Sequence, residues 1–130
     1  MKVEIIPCLQ DNYSYVVIDL KNKKTCVVDP SEPGPIINFL EKNNLDIDLI
    51  IDFIVDTNTV KKRVLERSKI ENRSDDNIEV IKTRLDKYFT ETQPLATIFK
   101  EKFKEKFFEI NATQEITKIQ SDIENRLKNA

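Results

Sequence analysis

The sequence predicts an α/β fold: a single open mixed sheet of about five strands, antiparallel at its N-terminal edge and parallel in its C-terminal part, with flanking helices. Three apolar stretches separated by short polar turns open the chain, and later apolar stretches alternate with helical patterns. The length of 130 residues fits one hydrophobic core. We therefore expect residues 1–130 to form a single domain.

The first half of the chain is predicted as three strands, a helix and a fourth strand. "KVEIIP" alternates, and "YSYVVIDL", "KNKK" and "TCVVDP" have the pattern of a hairpin. "SEPGP" is a loop whose prolines suit the start of a helix over residues 35–43. The apolar run "LIIDFIVD" predicts a buried strand lying parallel to "VVD", since a right-handed crossover is strongly favoured for such a unit.

The second half is predicted to be mostly helical. A helix over residues 57–68 is followed by the loop "KIENRSDDN" and by a long helix over residues 77–104. Pro94 predicts a kink or break near Gln93. "KFFEIN" is the last strand, and a helix follows it. The predicted inward positions of the three helices are Val60, Val64 and Leu65, then Val80, Ile81, Leu85, Tyr88, Leu95 and Phe99, then Ile116, Ile119, Ile123 and Leu127.

Charge and composition exclude several classes of partner. Lysine and arginine number 21 against 23 acidic residues, so the basic excess that general nucleic-acid binding needs is missing. No apolar run approaches the ~20 residues of a membrane span, and the N-terminus lacks a signal-peptide pattern. We expect a cytoplasmic protein without nucleic-acid or membrane partners. Cys8 and Cys26 are interpreted as reduced, buried thiols, although their spacing also permits a pair.

Two scarce residue types limit the chemistry. The sequence has no histidine, which excludes histidine zinc sites, Ser-His-Asp triads and Cys-His pairs. It has one glycine, Gly34, which excludes a glycine-rich phosphate loop. We expect no metal site and no cofactor.

The N-terminal stretch "IPCLQDNYSY", with Asp11-Asn12-Tyr13, and the later "VVDPSEP" resemble glyoxalase II. Glyoxalase II is a hydroxyacylglutathione hydrolase of the metallo-β-lactamase superfamily, and the resemblance covers roughly residues 1–50. In that family the next strand ends in THxHxDH, which binds two metals, whereas this chain reads "IIDFIVDTNTV". Asp11 and Asn12 fit equally well a turn between two strands.

From about residue 39 the chain resembles the C-terminal half of a short-lid adenylate kinase. The pattern lies in "RVLER", "RSDDN", "RL", "TQPL" and "FFEINAT", which follow in family order. The family's glycine before the loop arginine is replaced by Asn72, a residue that also visits the left-handed region. The chain therefore reads as a chimera, with residues 1–38 glyoxalase-like and residues 39–130 kinase-like.

The kinase resemblance implies a set of phosphate- and nucleotide-binding residues. In that family the corresponding arginines surround the phosphates and neutralise the phosphoryl group that is transferred. Asp75 and Asp76 correspond to positions that hold the lid loop closed, and Thr113 lies in the loop against the adenine. The arginines are Arg63, Arg67, Arg73 and Arg84.

Four of these residues also have an ordinary structural interpretation. Arg63 and Arg67 lie four positions apart on a helix rich in charge, as on a solvated face. Asp76 with Glu79 fits a capping box that would start the long helix. Arg84 has carboxylates within reach on its own helix.

The functional expectation has three forms. The first is a folded domain that is catalytically incompetent, because "SEPGP" places carboxylates and prolines where the kinase has its phosphate loop. The second is weak, residual binding of ATP or another nucleotide through the arginines. The third is an active phosphotransferase or thioester hydrolase. The exposed edge strand "KVEIIP" favours a homo-oligomer.

Overall fold

The antiparallel half of the sheet consists of strands whose side chains alternate between buried and exposed positions. The computed structural model describes residues 1–72 and 77–130. Strands β1 (Lys2–Cys8), β2 (Asn12–Asp19) and β3 (Lys24–Val28) pair in sequence order as an antiparallel meander. The first three predicted strands and the hairpin turn before β3 are thereby confirmed.

The parallel half follows through two crossovers. Helix α1 (Pro33–Lys42) leads to β4 (Leu49–Ile54), which pairs in parallel with β3. β5 (Phe107–Asn111) pairs in parallel with β4, so the strand order is β1-β2-β3-β4-β5. The predicted single open mixed sheet, antiparallel at one edge and parallel at the other, is confirmed.

The remaining helices lie between β4 and β5 and after β5. They are α2 (Thr57–Glu71), α3 (Ile78–Lys87), α4 (Gln93–Lys102) and α5 (Ile116–Lys128). A π-helical turn, Tyr88–Thr92, joins α3 to α4. The predicted long helix is therefore interrupted, as the proline indicated, and it ends two residues earlier than expected.

The interruption ends at Thr92, directly before Gln93, as the position of Pro94 predicted. A proline ring clashes with the carbonyl four residues earlier, which here belongs to Thr90 in the π-helical turn. A π-helical turn is wider than an α-helical one, and the Thr90 hydroxyl within it donates to the Asp86 carbonyl at 2.8 Å. Tyr88 was expected on the apolar stripe, but it lies in the widened turn and is 38% exposed.

Two asparagines set the ends of the helices on either side of residues 73–76. Asn72 terminates α2 in the left-handed conformation, with φ of 51°, so the helix runs three residues beyond the predicted Ser68. Asn77 is the N-cap of α3, and its side chain accepts from the Val80 N–H at 2.9 Å. The alternative cap, Asp76, lies outside the described residues.

The larger core packs α1 and α4 against one face of the sheet. It combines residues from all five strands, from α1 and α4, and from the loop before β4. Phe99 of α4 is 1% exposed and stacks on Phe103, with ring centroids 6.0 Å apart. The buried members are Ile6, Cys8, Val16, Ile18, Val27, Ile36, Leu40, Ile47, Ile50, Phe99 and Phe107.

A smaller core lies on the opposite face beneath α5. Leu49, Ile51 and Ile110 are buried there, with Ile119 and Ile123 packed against them. Two residues expected on this stripe are instead exposed, because the ends of α5 extend past the strands that it covers: these are Ile116 and Leu127. On α2, the three residues expected to face inward are only half-buried: they are Val60, Val64 and Leu65.

Both cysteines are free thiols, as expected, but their surroundings differ. Cys8 is 2% exposed on the larger core. Cys26 faces the other side of the sheet and is half-buried, not fully buried as predicted, and burial raises the pKa of its thiol to about 11. Within residues 1–72 and 77–130, no helix is long and apolar enough to cross a membrane.

Candidate functional site

The turn after β3 occupies the carboxyl edge of the parallel strands, where open α/β sheets bind ligands. Asp29 adopts a left-handed conformation with φ of 51°, and its carboxylate accepts from the Phe53 N–H at 3.1 Å. Glu32 accepts from the Leu9 N–H at 2.7 Å. Both carboxylates of the turn are therefore engaged by backbone donors of the chain itself.

Ser14 fastens the same turn to the hairpin. Its hydroxyl is fully buried and lies 2.8 Å from the Asp29 carbonyl, to which it donates. It also accepts from the Ser31 N–H at 3.1 Å and lies 3.0 Å from the Ser31 hydroxyl. A backbone donor that a phosphate-binding loop would offer to its ligand is here satisfied internally.

Three carboxylates lie near one another by this edge: Asp29 in the turn, and Asp52 and Glu109, which are paired between β4 and β5. Burial first, and then the neighbouring negative charges of Asp29 and Glu109, raise the pKa of Asp52 to about 6, against a smaller lowering by Lys100. Burial also raises the pKa of Asp29, which the hydrogen bond from Phe53 partly offsets. Lys100 bonds Glu109 at 2.6 Å. The edge therefore carries an excess of negative charge where a nucleotide phosphate would require donors and cations.

Arg63 and Thr113, two of the predicted site residues, are brought together beyond the ends of β4 and β5. The guanidinium of Arg63 donates to the Ala112 carbonyl at 2.6 Å and to the Thr113 carbonyl at 3.3 Å. The Thr113 hydroxyl donates to Asp56, the N-cap of α2, at 3.1 Å. Arg63 and Asp56 together thus hold the loop after β5 against α2.

Arg84 lies in different surroundings, on a cavity between α3 and the β1–β2 turn. This junction cavity has a volume of about 350 Å³ and is lined by Asp11, Asn12, Arg84, Lys87, Tyr88 and Thr92. Lys87 bonds Asp11 at 3.0 Å, and the Asn12 amide donates to the Thr92 hydroxyl at 2.9 Å. Polar contacts in the lining of this cavity therefore link the glyoxalase-like segment to the kinase-like segment.

The remaining predicted residues divide into two groups. Arg67 is half-buried on α2, one turn after Arg63, and makes contacts of its own. Arg73, Asp75 and Asp76 lie outside the described residues. A single ligand surrounded by four arginines stays a prediction.

Two features of the site were not predicted from the sequence. Lys87 and its partners in the β1–β2 turn were missed, although Lys87 lies three positions after Arg84 and so shares its helix face. The elevated pKa of Asp52 was also missed. The sequence feature that could have predicted this elevated pKa is a carboxylate inside the apolar run "LIIDFIV".

Comparisons with known proteins give two partial resemblances over different segments of the chain. The hydroxyacylglutathione hydrolase of Pelagibacter ubique is 46% identical over 52 residues, which are 40% of this chain and 22% of that protein. The adenylate kinase of Parabacteroides distasonis is 43% identical over 60 residues, 46% of this chain and 32% of that protein. The adenylate kinase of Thermobifida fusca is 36% identical over 72 residues, 55% of this chain and 38% of that protein.

No family model matches the chain. It spans between about a fifth and two fifths of the length of these relatives. The resemblance is therefore chimera-like: one segment is similar to a hydrolase and another to a kinase.

Proposed function

We propose that this chain forms a folded α/β domain that catalyses neither the reaction of adenylate kinases nor that of hydroxyacylglutathione hydrolases. The observation that supports this most directly is the turn after β3, whose backbone and carboxylates are bonded internally by Ser14, Leu9 and Phe53. Phosphoryl transfer depends on positioned donors and cations around the phosphates. The excess of carboxylates at Asp29 and Asp52 opposes that chemistry.

The sequence gives the parallel argument against the hydrolase reaction. The chain contains no histidine. Among the described residues, no group of three or more cysteine, aspartate and glutamate side chains could hold a metal ion. A metal-bound nucleophile of the kind used by metallohydrolases therefore has no ligand set in the described part of the chain.

Two assays test the absence of turnover. A coupled assay with ATP and AMP, and a thioester-hydrolysis assay with S-lactoylglutathione, are expected to give rates equal to the buffer control. Arg84→Ala is the matched variant, because a contaminating enzyme would leave its rate unchanged. Turnover by the parent chain that Arg84→Ala abolishes would contradict the proposal.

A second candidate function is weak binding of a phosphate-bearing small molecule, such as a nucleotide, in the junction cavity. Arg84 and Lys87 supply two cations, and Asn12, Tyr88 and Thr92 supply neutral polar groups. The volume of about 350 Å³ is in the range of small-molecule sites, about 300–1,000 Å³. Guanidinium groups suit phosphate because they stay charged and bond oxygens in pairs.

The same geometry limits the expected affinity. Asp11 is bonded to Lys87 and already offsets part of the cationic charge. Arg84 is exposed on α3, so its attraction for an anion is screened over about 8–10 Å at ordinary ionic strength. We expect weak binding that falls as salt is added.

Calorimetric titration with ATP at low and moderate salt tests this candidate. Arg84→Ala is expected to weaken binding, and Arg73→Ala to weaken it if the lid arginine contributes as in the kinases. Arg126→Ala is the control, because Arg126 stacks over Phe108 at 4.6 Å and lines no part of the junction cavity. Binding that neither Arg84→Ala nor Arg73→Ala weakens, or no binding at low salt, would eliminate the candidate and leave the non-catalytic domain alone.

A further inference from the structure

The β1–β2 hairpin exposes an apolar face. Val3 and Ile5 are 56% and 59% exposed, and Tyr13 is 56% exposed. These side chains point away from the larger core, because the alternate positions of both strands are the buried ones. The hairpin face is defined by Val3, Ile5, Tyr13, Tyr15 and Val17.

This face continues a row of side chains that is covered at its other end. Cross-strand pairing sets Ile5 beside Tyr15, Tyr15 beside Val28, and Val28 beside Ile51. Exposure falls along the row from 59% at Ile5 through 37% at Tyr15 to 4% at Ile51, where α5 packs on the sheet. Within residues 1–72 and 77–130, α5 covers β4 and β5 on this side, and no packed cluster includes the hairpin face.

The outer edge of β1 is protected, unlike the hairpin face. Pro7 has no N–H to offer a further strand, and Lys2 and Glu4 place charges along the edge, where they bond each other at 2.6 Å. Proline and charged side chains are the usual means of blocking edge-to-edge pairing. The side chains of the hairpin face, in contrast, carry no formal charge.

We propose that the hairpin face binds the same face of a second copy of this chain, sheet against sheet about a two-fold axis. A two-fold contact uses one self-complementary patch on both copies, and an uncharged patch of β-branched and aromatic side chains meets that requirement. The net charge of −2 gives little repulsion between copies. Tyrosine suits such a contact, because the ring is buried while the hydroxyl stays hydrated at the rim.

The size of the patch determines the expected strength. The exposed fractions of Val3, Ile5 and the two tyrosines correspond to an apolar area on the order of 300–400 Å² per copy. A standard stable interface contributes roughly 800 Å² per partner. The dimer is therefore expected to be weak, and its population to depend on concentration.

Sedimentation equilibrium tests the proposal. The chain is measured at concentrations from roughly 10 μM to 1 mM. The parent chain is expected to shift from monomer to dimer, and Ile5→Lys to stay monomeric because it places a charge at the centre of the contact. Ile98→Lys is the matched control: Ile98 is 48% exposed on α4, away from this face, and its variant is expected to associate like the parent. A parent chain that stays monomeric throughout, or an Ile5→Lys variant that associates like the parent, overturns the proposal.

A second measurement separates face-to-face stacking from pairing of strand edges. Methyl NMR signals of Val3, Ile5 and Val17 are expected to shift on dilution, while the exchange rates of the β1 amides stay the same. Concentration-dependent protection of the β1 amides, with unchanged methyl signals, would mean that the edge is the interface. That result would also contradict the proposal.

Discussion

The sheet with α1 and α4 differs from the arm formed by α2 and α3 in how deeply each is packed. The larger core contains Ile50 and Phe99, which are 0% and 1% exposed. In contrast, α2 has no buried residue and α3 has one, Ile81. Regions with few buried apolar contacts open at lower free energy than the core. The described arginines of the predicted site, Arg63, Arg67 and Arg84, are therefore carried by a lightly packed part of the fold.

This contrast separates stability from function within one chain. The residues that build the core come from both of the segments that resemble different enzymes. The described arginines that the kinase resemblance assigns to phosphate binding lie instead on the arm. A core of this kind can form whether or not a site is complete, since fold and function are specified by different residues. The predictions below separate the contributions of the two regions.

The largest effect is expected in the core. Phe99→Ala removes a fully buried ring from the packing of α4 on the sheet, and should lower the free energy of unfolding by about 3–5 kcal/mol. Phe89→Ala, at a residue that is 47% exposed beside the arm, is the control and should cost less than about 1 kcal/mol. Urea unfolding measures both, and similar losses for the two variants would mean that the core does not lie where the structure shows it.

A smaller loss is expected at the turn after β3. Ser14→Ala removes the hydroxyl that bonds Asp29 and Ser31, leaving buried backbone groups without partners, and should cost about 1–3 kcal/mol. Ser121→Ala, at an exposed position of α5, should be close to neutral. If thermal and urea unfolding of Ser14→Ala match the parent chain, the polar link between hairpin and turn contributes nothing.

The arm should respond locally to loss of a cap. Asn77→Ala removes the acceptor of the Val80 N–H and should lower the stability of α3 by about 1 kcal/mol. Amide exchange of α3 should show this loss more clearly than global unfolding, because the arm is lightly packed. Asn77→Asp keeps the capping oxygen and should exchange like the parent. An equal loss throughout the sheet would show that arm and core open together.

The smallest effect concerns the pH dependence of Asp52. Its folded pKa of about 6 lies above the ordinary value near 4, so the folded state binds the extra proton between these two pH values. The contribution of Asp52 to stability therefore rises as pH falls from about 6 to about 4, and the unfavourable effect is fully present above pH 6. Because Asp52 is partly exposed, screening reduces this effect to on the order of 1 kcal/mol.

Asp52→Asn should consequently stabilise the protein near pH 7 and leave it little changed near pH 4. Asp122→Asn is the comparison, since hydrogen bonds from Gln114 and Lys118 lower the pKa of that carboxyl, and its loss should not stabilise. The difference in unfolding free energy between parent and Asp52→Asn, measured from pH 4 to pH 7.5, gives the answer. A difference that does not vary with pH would exclude the elevated pKa.

The sequence predicted the sheet well because its signals are local. Alternation in β1 and β2, and the apolar run of β4, indicate strands whatever lies around them. The end of α2 was placed three residues early, because only the structure shows that Asn72 adopts the left-handed conformation. The inward stripe of α5 was overestimated at Ile116, because helical spacing does not reveal how much sheet lies beneath a helix.

The site was harder to predict, since its geometry depends on contacts far apart in the chain. Arg63 was assigned to phosphate by resemblance, and the structure shows it bonded to carbonyls about fifty positions away. At the junction cavity, Lys87 bonds Asp11, which lies 76 positions away in the sequence. No local sequence pattern predicts such a pairing. The residue types alone indicated anion binding, whereas only the structure shows where the arginines lie relative to one another.

The central claim is that the hydrolase-like and kinase-like segments share one cooperative core. Native-state hydrogen exchange, followed by NMR at increasing urea, tests it on the amides of β2 and β4. We predict that both sets exchange through the same opening, with one free energy and one dependence on urea, equal to those of global unfolding. Exchange of β2 through a separate opening of lower free energy and shallower urea dependence would contradict the claim, because the hairpin would then be a unit of its own.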